Sequence, residues 1–325
     1  MNKIIAFIKS LFQKKQQGEG KGWIKDPVDH RDVLLESIFD SSVEIPEEYK
    51  LPFKMDVKSQ GGKPHCVGYS CATIKEFLEQ KEGNNIEFDG DWIYKQCKKI
   101  DNYSGPGTYF RAGLKVLLNK GAMPVGGGDP AKYRIGGYTT VGTTFESIKE
   151  AIYRSGPVLV GFRGSNKGWK DEHIRPPVAG ERVWGHAVAL AVGYTKDRIY
   201  IQNSWGKGKG NDGYFYFDKN YLPMSAHCVL VDLPNNWQEL LGKNKDKPKH
   251  QFIINLSKGI TGEDVKVLQD CLKWLGCMDP KINCTGRFGP LTKQAVMAFQ
   301  ARYSIKPVAG FVGPITRSKL NELFS

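Results

Sequence analysis

The sequence predicts an α+β fold of two lobes, a helical lobe and then an antiparallel β lobe, followed by a small all-α three-helix domain. Three observations carry this. Helical periodicity crowds the stretch from Cys66 to Ser155. From "HAVALAVGY" onward the period changes from 3.6 to two. The last seventy or so residues contain two copies of one Gly–Pro pattern, "GRFGPLT" and "GFVGPIT". At 325 residues the chain has room for two domains.

The expected organisation is an N-terminal amphipathic and flexible segment over 1–22, a propeptide-like lead over 23–50, the two-lobed domain over 51–240, a linker over 241–252 and the helical domain over 253–325. The start, "MNKIIAFIKSLFQKKQQ", puts Ile4, Ile5, Ile8, Leu11 and Phe12 on one helical face. It is too short to span a bilayer and lacks the small-residue cleavage site of a signal peptide. A helix docked on its own protein, a frayed tail and an interfacial helix giving residues 1–15 membrane contact are the readings it leaves. "GEGKG" (Gly18 to Gly22) is a flexible link, and "GWIKDPVDHRDVLLES" has turn signals and little periodicity, so it lies extended on something.

The first helix starts at Cys66. The second, in "GTYFRAGLKVLLNKG", carries Phe110, Leu114, Leu117 and Leu118 at helical spacing and ends at Gly121. The third is "TFESIKEAIYRSG", with a Thr start signal and a Gly stop. "HAVALAVGY", "RIYIQNSW" and "YFYF" then read as strands. "LGKNKDKPKHQ" (Leu241 to Gln251) is a lysine-rich linker. In the final module Thr261 is placed to cap a helix, with Asp264 at the capping-box position. Val265, Leu268, Leu272, Val296, Phe299, Leu320 and Leu323 point to one small core. In each Gly–Pro copy a glycine permits unusual backbone, an apolar side chain tucks in, and proline opens a helix.

The formal net charge is +13, with no dense Lys/Arg block beyond the spaced Lys243, Lys245, Lys247 and Lys249. No nucleic-acid arm is implied. The balance suits polyanionic surfaces such as bacterial walls and membranes, and solubility accounts for it equally well. "GKGKGNDG" (Gly206 to Gly213) lacks the Lys-Ser/Thr ending of a phosphate loop and reads as a loop between strands. The seven cysteines include no CxxC and no zinc-finger spacing, so no structural metal is expected. Cys277 and Cys284 bracket a loop and are candidates for joining. Cys97, Cys228 and Cys271 are expected as free buried thiols.

"QGGKPHCVGYSCATIKEFLEQ" (Gln60 to Gln80) offers two candidate nucleophiles. Val67, Cys71, Ile74 and Leu78 form one apolar stripe, which makes Cys71 a small core residue. Cys66 lies about 140° around the helix, on the face of Ser70 and Thr73, and in the first turn after Pro64. Unpaired N–H groups and the positive dipole end there favour a thiolate. A base is then required. His186 opens a strand after Trp184 and Gly185, and Asn203 ends the next strand, so neighbouring strand ends bring the two into reach.

Taken together, "QGGKPHCVGYSCA", "SGPVLVGF" (Ser155 to Phe162), "GHAVALAVGY" and "IYIQNSWGKGKGNDGYFYF" resemble the papain-like cysteine peptidases over roughly Gly22 to Leu233. The lead "GWIKDPVDHRDVLL" resembles bacterial members. The resemblance implies a polypeptide substrate and a Cys66–His186–Asn203 acyl-enzyme mechanism. Gln60 and the Cys66 N–H would form the oxyanion hole, Trp205 would shield the Asn203–His186 bond, and Gly105, Gly107 and Gly185 would lie along the substrate. Lys63 stands where the family has a disulfide cysteine, and Val67 where it has tryptophan. "LSKGITGEDVKVLQDCLKWLG", "GRFGPLTKQAVMAFQARYSI" and "AGFVGPITRSKLNEL" look like the three-helix peptidoglycan-binding module over Asn255 to Phe324. The expected function is a monomeric cysteine endopeptidase at the bacterial cell wall, extracellular or phage-delivered. The rivals are a peptidoglycan hydrolase or phage endolysin cutting stem peptides, and a wall adhesin with a dead peptidase fold.

Overall fold

The helix expected at Cys66 forms as α1 (Cys66–Lys81), and it is buried on all its faces along most of its length. The structure, a computed structural model, describes residues 22–27, 34–35, 44–233, 235 and 246–325, with the backbone alone for 185–189. The expectations for residues 1–15 and for residues 241–245 of the linker therefore lie outside the described residues.

The predicted stripe of Val67, Cys71, Ile74 and Leu78 is buried, but so are Cys66, Ser70 and Thr73 across the helix. The amphipathic reading of α1 is corrected, because helices cover one side of it and the sheet covers the other. Polar side chains carried inward are paired. Lys75 Nζ sits 2.8 Å from Glu79 and 2.7 Å from Asp232, joining the helical lobe to the sheet. Glu76 accepts from the Phe88 N–H and pairs with Lys58 at 2.9 Å. Burial pushes the Glu76 carboxyl up to about 7, against the pull of Lys58.

α2 (Gly90–Cys97) was not anticipated; its N-cap Asp89 accepts from the Trp92 N–H at 2.9 Å. α3 (Phe110–Asn119) buries the four predicted residues. Its end is followed by Gly121, at φ 87°, where a left-handed backbone stops the helix. α4 (Phe145–Ser155) starts at Thr144, whose hydroxyl accepts from the Ser147 N–H at 3.1 Å, and stops at Gly156 at φ 95°.

The strands are β1 (Trp23–Ile24), β2 (Tyr49–Lys50), β3 (Thr108–Tyr109), β4 (Ile135–Val141), β5 (Val158–Ser165), β6 (Val183–Tyr194), β7 (Ile199–Asn203), β8 (Tyr214–Phe217) and β9 (Ser225–Asp232). β1 pairs in parallel with β3, so the lead lies extended on the body of the protein at residues 23–24. The rest form one antiparallel sheet in the order β4-β9-β5-β6-β7-β8, with β2 on the far end of β6.

Beyond the linker, α5 (Glu263–Trp274), α6 (Pro290–Arg302) and α7 (Pro314–Phe324) enclose a second core. Both Gly–Pro copies behave as predicted. Gly286 and Gly310 have φ 68° and 65°, Phe288 and Val312 are fully buried, and Pro290 and Pro314 open helices. One glutamine serves each copy. Gln269 Oε1 accepts from the Gly286 N–H at 3.0 Å while its Nε2 donates to Thr292 Oγ1 at 2.8 Å and the Arg287 carbonyl at 3.0 Å. Gln300 repeats this with Gly310 (2.9 Å), Thr316 (2.9 Å) and Phe311 (2.8 Å).

Two expectations here are corrected. Gly262, not Thr261, is the N-cap of α5; Thr261 bridges to Arg287, and Asp264 bonds His250 at 2.8 Å instead of closing a capping box. Cys277 and Cys284 are not joined, since Cys277 is buried and Cys284 Sγ donates to Asp270 Oδ1 at 3.2 Å. Leu323 packs against the module core as expected, half-buried beside the fully buried Phe324. The module also packs on the sheet. A Cβ on Gly137 would fall 2.6 Å from the Ala298 methyl, Gln294 donates to the Leu230 carbonyl, and Met297 and Val308 join the core of the first unit.

Candidate active site

Cys66 is the first residue of α1 after the N-cap His65, and no acidic residue occupies the first turn. The positive end of the helix dipole lies there, a setting that favours an anion. Cys66 is 1% exposed. Cys71 is fully buried, and burial first, then the neighbouring Cys66, pushes its thiol up to about 12. Its sulfur lies against α3, where a Cβ on Gly113 would approach it to 2.5 Å. Cys71 is thus a core residue, as its stripe predicts.

The loop before Cys66 is bonded to the end of β7 as a short added strand. Gln60 N–H donates to the Ser204 carbonyl at 2.9 Å, Gly206 N–H donates to the Lys58 carbonyl at 3.0 Å, and Ser59 bridges Trp205. Gln60 is 1% exposed. Its Oε1 accepts from Ser204 Oγ at 2.5 Å and its Nε2 donates to the Lys63 carbonyl at 2.8 Å. The amide is therefore held from both ends, with its nitrogen turned toward the nucleophile loop.

Asn203, 3% exposed, is the last residue of β7. Its Oδ1 accepts from the Ser204 N–H at 2.8 Å, and its Nδ2 has no hydrogen-bond partner among the described residues. β6 pairs Ala189 with Asn203 and runs on toward its own start to reach His186 and Gly185. There Phe162 faces Ala187 and Gly164 faces Trp184, so Gly185 and His186 together stand opposite the single Arg163. This is a β-bulge, the device that re-aims a side chain at a strand end. The side chains at 185 and 186 lie outside the described residues. The backbone brings the His186 end of β6, the Asn203 end of β7 and the Gln60 loop together.

Trp205 packs against Trp184 at 6.1 Å, Trp169 at 5.6 Å and Phe215 at 6.1 Å between ring centroids. This aromatic cluster sits where β6 and β7 meet the loop. Gly107, at φ 93°, and Gly105 have their carbonyls bonded by Lys98 Nζ at 3.1 and 3.2 Å. The close approach that Gly107 permits is to the lead residue Gly22.

Two groups of site-supporting residues were missed. Ser204 sits inside the quoted Asn-Ser-Trp-Gly stretch, but nothing in spacing says that it reaches Gln60. Lys63 and His65 both bond Asp91, the second at 2.8 Å, and tie the nucleophile loop to the start of α2. Burial alone would raise the Asp91 carboxyl, but the bonds from Lys63 and His65 outweigh it and hold the group below its ordinary value. Among the described residues no cluster of His, Cys, Asp or Glu could hold a metal ion.

This fold, with a cysteine heading the central helix and a glutamine loop bonded to an Asn-bearing strand end, defines a thiol hydrolase of papain type. Comparison with known proteins agrees. The family described as "Papain family cysteine protease" matches residues 122–231, and "Putative peptidoglycan binding domain" matches residues 261–320. An uncharacterized peptidase C1-like protein of Acanthamoeba polyphaga mimivirus is 26% identical over 255 residues, covering 62% of this chain and 82% of that protein. Cathepsin S of Bos taurus is 33% identical over 97 residues, covering 28% of each chain. The crystal structure of xylellain, a cysteine protease from Xylella fastidiosa, has a TM-score of 0.59 at 23% identity, over 66% of this chain and 97% of that one, which is a likeness of fold. The chain carries a papain-family cysteine peptidase domain, which makes it a hydrolase, and a C-terminal peptidoglycan-binding domain; the two imply a polypeptide substrate and peptidoglycan as its partners.

Proposed function

We propose that the protein is a cysteine endopeptidase held at the bacterial cell wall by its C-terminal domain, with Cys66 as nucleophile, His186 as acid and base, and Asn203 as the residue that orients His186. The observation that carries this reading is the added strand over residues 58–60. It bonds the nucleophile loop to the end of β7 and brings Gln60, Ser204 and Asn203 to one point beside the His186 end of β6.

The reaction balances without a cofactor. The Cys66 thiolate adds to the scissile carbonyl carbon, and the carbonyl electron pair moves to oxygen. The Gln60 amide and the Cys66 backbone N–H hold that oxygen. As the carbon–oxygen double bond re-forms, the C–N bond breaks and His186 gives its proton to the leaving amine. Water then attacks the thioester, His186 takes its proton, and the released acid leaves Cys66 as thiolate. Trp205 and its aromatic neighbours keep water from the Asn203–His186 contact, and Gly105, Gly107 and Gly185 border the substrate.

The docked wall-binding domain supports a second reading, in which the same centre cuts peptidoglycan stem peptides as an endolysin does. Casein hydrolysis and clearing of purified sacculi, run side by side with the wild type and Cys66→Ala, test both. The first reading predicts casein cleavage lost in the variant. Sacculus clearing with casein untouched would replace it by the second.

A further inference from the structure

We infer that the cavity at the junction of the peptidase unit and the C-terminal module is a second binding site, and that it takes a short anionic peptide of the kind a peptidoglycan stem supplies. Peptidoglycan as a partner of this chain is its premise, and Cys66 as nucleophile is not.

The cavity has a volume of about 260 Å³. Ligand sites favour such junctions, where two units close over a space that neither encloses alone. The peptidase unit supplies α3, with Arg111 and Lys115, and the β4 stretch from Gly137 to Thr140. The module supplies the end of α6, with Met297, Ala301 and Arg302. Arg302 also ties the two units together. Its Nη1 donates to the Leu275 carbonyl at the end of α5, and its Nη2 donates to the Gly136 carbonyl of β4 at 3.3 Å.

Charge selects the ligand. Arg111, Lys115 and Arg302 line the cavity, and among the described residues no Asp or Glu does. The partners of Arg302 are neutral carbonyls, and its buried Nε has no hydrogen-bond partner among the described residues. Helix ends give one reason for cations here, since α3 ends at Asn119 and α6 at Arg302, both on the cavity wall. Each such end carries roughly half a negative charge. Lys115 and Arg302 offset both ends and leave about one positive charge in excess, before Arg111 is counted. The neighbouring Arg134 adds to the crowding: burial first, and then Arg302, pushes its guanidinium below the ordinary value. An anion placed in the cavity relieves this repulsion, and a partly closed space screens it less than open water does.

Size and lining make the anion a peptide. The volume is that of about eight or nine waters at roughly 30 Å³ each, room for a few small residues and not for a strand of sugars. Leu118, Met297, Ala301 and Val308 offer methyl-sized apolar contacts, while Asn119 and Thr140 bring an amide and a hydroxyl suited to peptide N–H and C=O groups. A wall stem is built to match, short, rich in alanine and carrying free carboxylates.

The test uses the full chain and the synthetic stem tetrapeptide L-Ala–γ-D-Glu–L-Lys–D-Ala, titrated by calorimetry. Saturable binding is expected, and amidating the carboxylates of the peptide should weaken it at least about tenfold. Lys115→Glu reverses a charge on the peptidase side and should weaken it at least about tenfold as well. Ala301→Phe narrows the cavity, changes no charge and should have the same effect. Both positions are exposed, and thermal melting checks that each variant is folded. Binding that ignores amidation, or that is unchanged in either folded variant, would overturn the inference and leave the peptidase reading intact. So would displacement of the peptide by an equal concentration of inorganic phosphate, which marks a site for any small anion. Absence of saturable binding by the wild type would overturn it too. Hydrogen exchange needs no substitution: the peptide should add protection to residues 137–140 and 297–302, and protection gained only elsewhere would overturn the inference.

Discussion

Ser204 donates its hydroxyl to Gln60 Oε1 at 2.5 Å, across 144 residues of chain. That bond decides which end of the Gln60 amide faces the nucleophile loop. With the oxygen engaged, Nε2 is the group turned toward Lys63 and the start of α1.

Gln60→Ala is expected to lower kcat by about 10²–10³, the usual cost of an oxyanion donor, with a small change in KM. Ser204→Ala acts through Gln60, so it should lower kcat less and in the same direction, again with KM nearly unchanged. Steady-state kinetics on a short peptide checks both. An effect of Ser204→Ala confined to KM would contradict a positioning role.

Cys66→Ala is expected to abolish turnover. Cys71→Ala should keep it and cost stability, about 1 kcal/mol for a small buried side chain. The two cysteines differ in place, one at the N-terminus of α1 and one packed on α3 beside Gly113. Turnover and chemical denaturation of both variants separate the roles.

His227 gives a pH dependence with a definite sign. Burial, aided by the nearby Arg111, pushes its imidazole down to about 3 from its ordinary 6.5. The folded state therefore stays neutral where the unfolded chain takes up a proton. Its contribution is intact above about pH 6.5 and falls as pH drops from there toward about 3, by about 1.4 kcal/mol per pH unit. His227→Leu should flatten the acid side of the Tm–pH curve between pH 7 and 4.5, and an unchanged slope would contradict this.

Gln269→Ala and Gln300→Ala should each unfold or loosen the C-terminal module. Each removes the partner of a glycine N–H, a threonine hydroxyl and a carbonyl. Groups left buried without partners cost roughly 1–3 kcal/mol apiece. Loss of module helicity and of sacculus pelleting is the expected readout, with Leu291→Ala, at an exposed position, as the neutral control.

Much of this was legible before the structure, where local rules decide. Thr144 and Gly156 end a helix by capping chemistry, Pro290 and Pro314 start helices, and strict alternation marks β6 to β8. Local rules failed where tertiary contacts decide. α2 is only two turns long, so its periodicity is too short to read. α1 shows one apolar stripe in sequence, yet its polar face is buried because Lys75, Glu76 and Glu79 find partners in other segments or on the helix itself. Thr261 has the composition of a cap, but its residue pairs with Arg287 in a bridge. The candidate site divides in the same way. Cys66 was singled out by helix position, Asn203 by strand order and Gln60 by the resemblance, while Ser204 and the Lys63–Asp91–His65 network depend on contacts between distant segments that no spacing records.

The measurement that bears most directly on the central claim is site mapping of a thiol-directed peptidyl inhibitor on the full chain, in wild type and in Cys66→Ala. Cys66 is predicted to carry the label in the wild type, with the other cysteines unmodified and peptide hydrolysis lost in step, and Cys66→Ala is predicted to take no label. Modification of Cys71 in place of Cys66, or hydrolysis that persists with Cys66 fully labelled, would contradict the account.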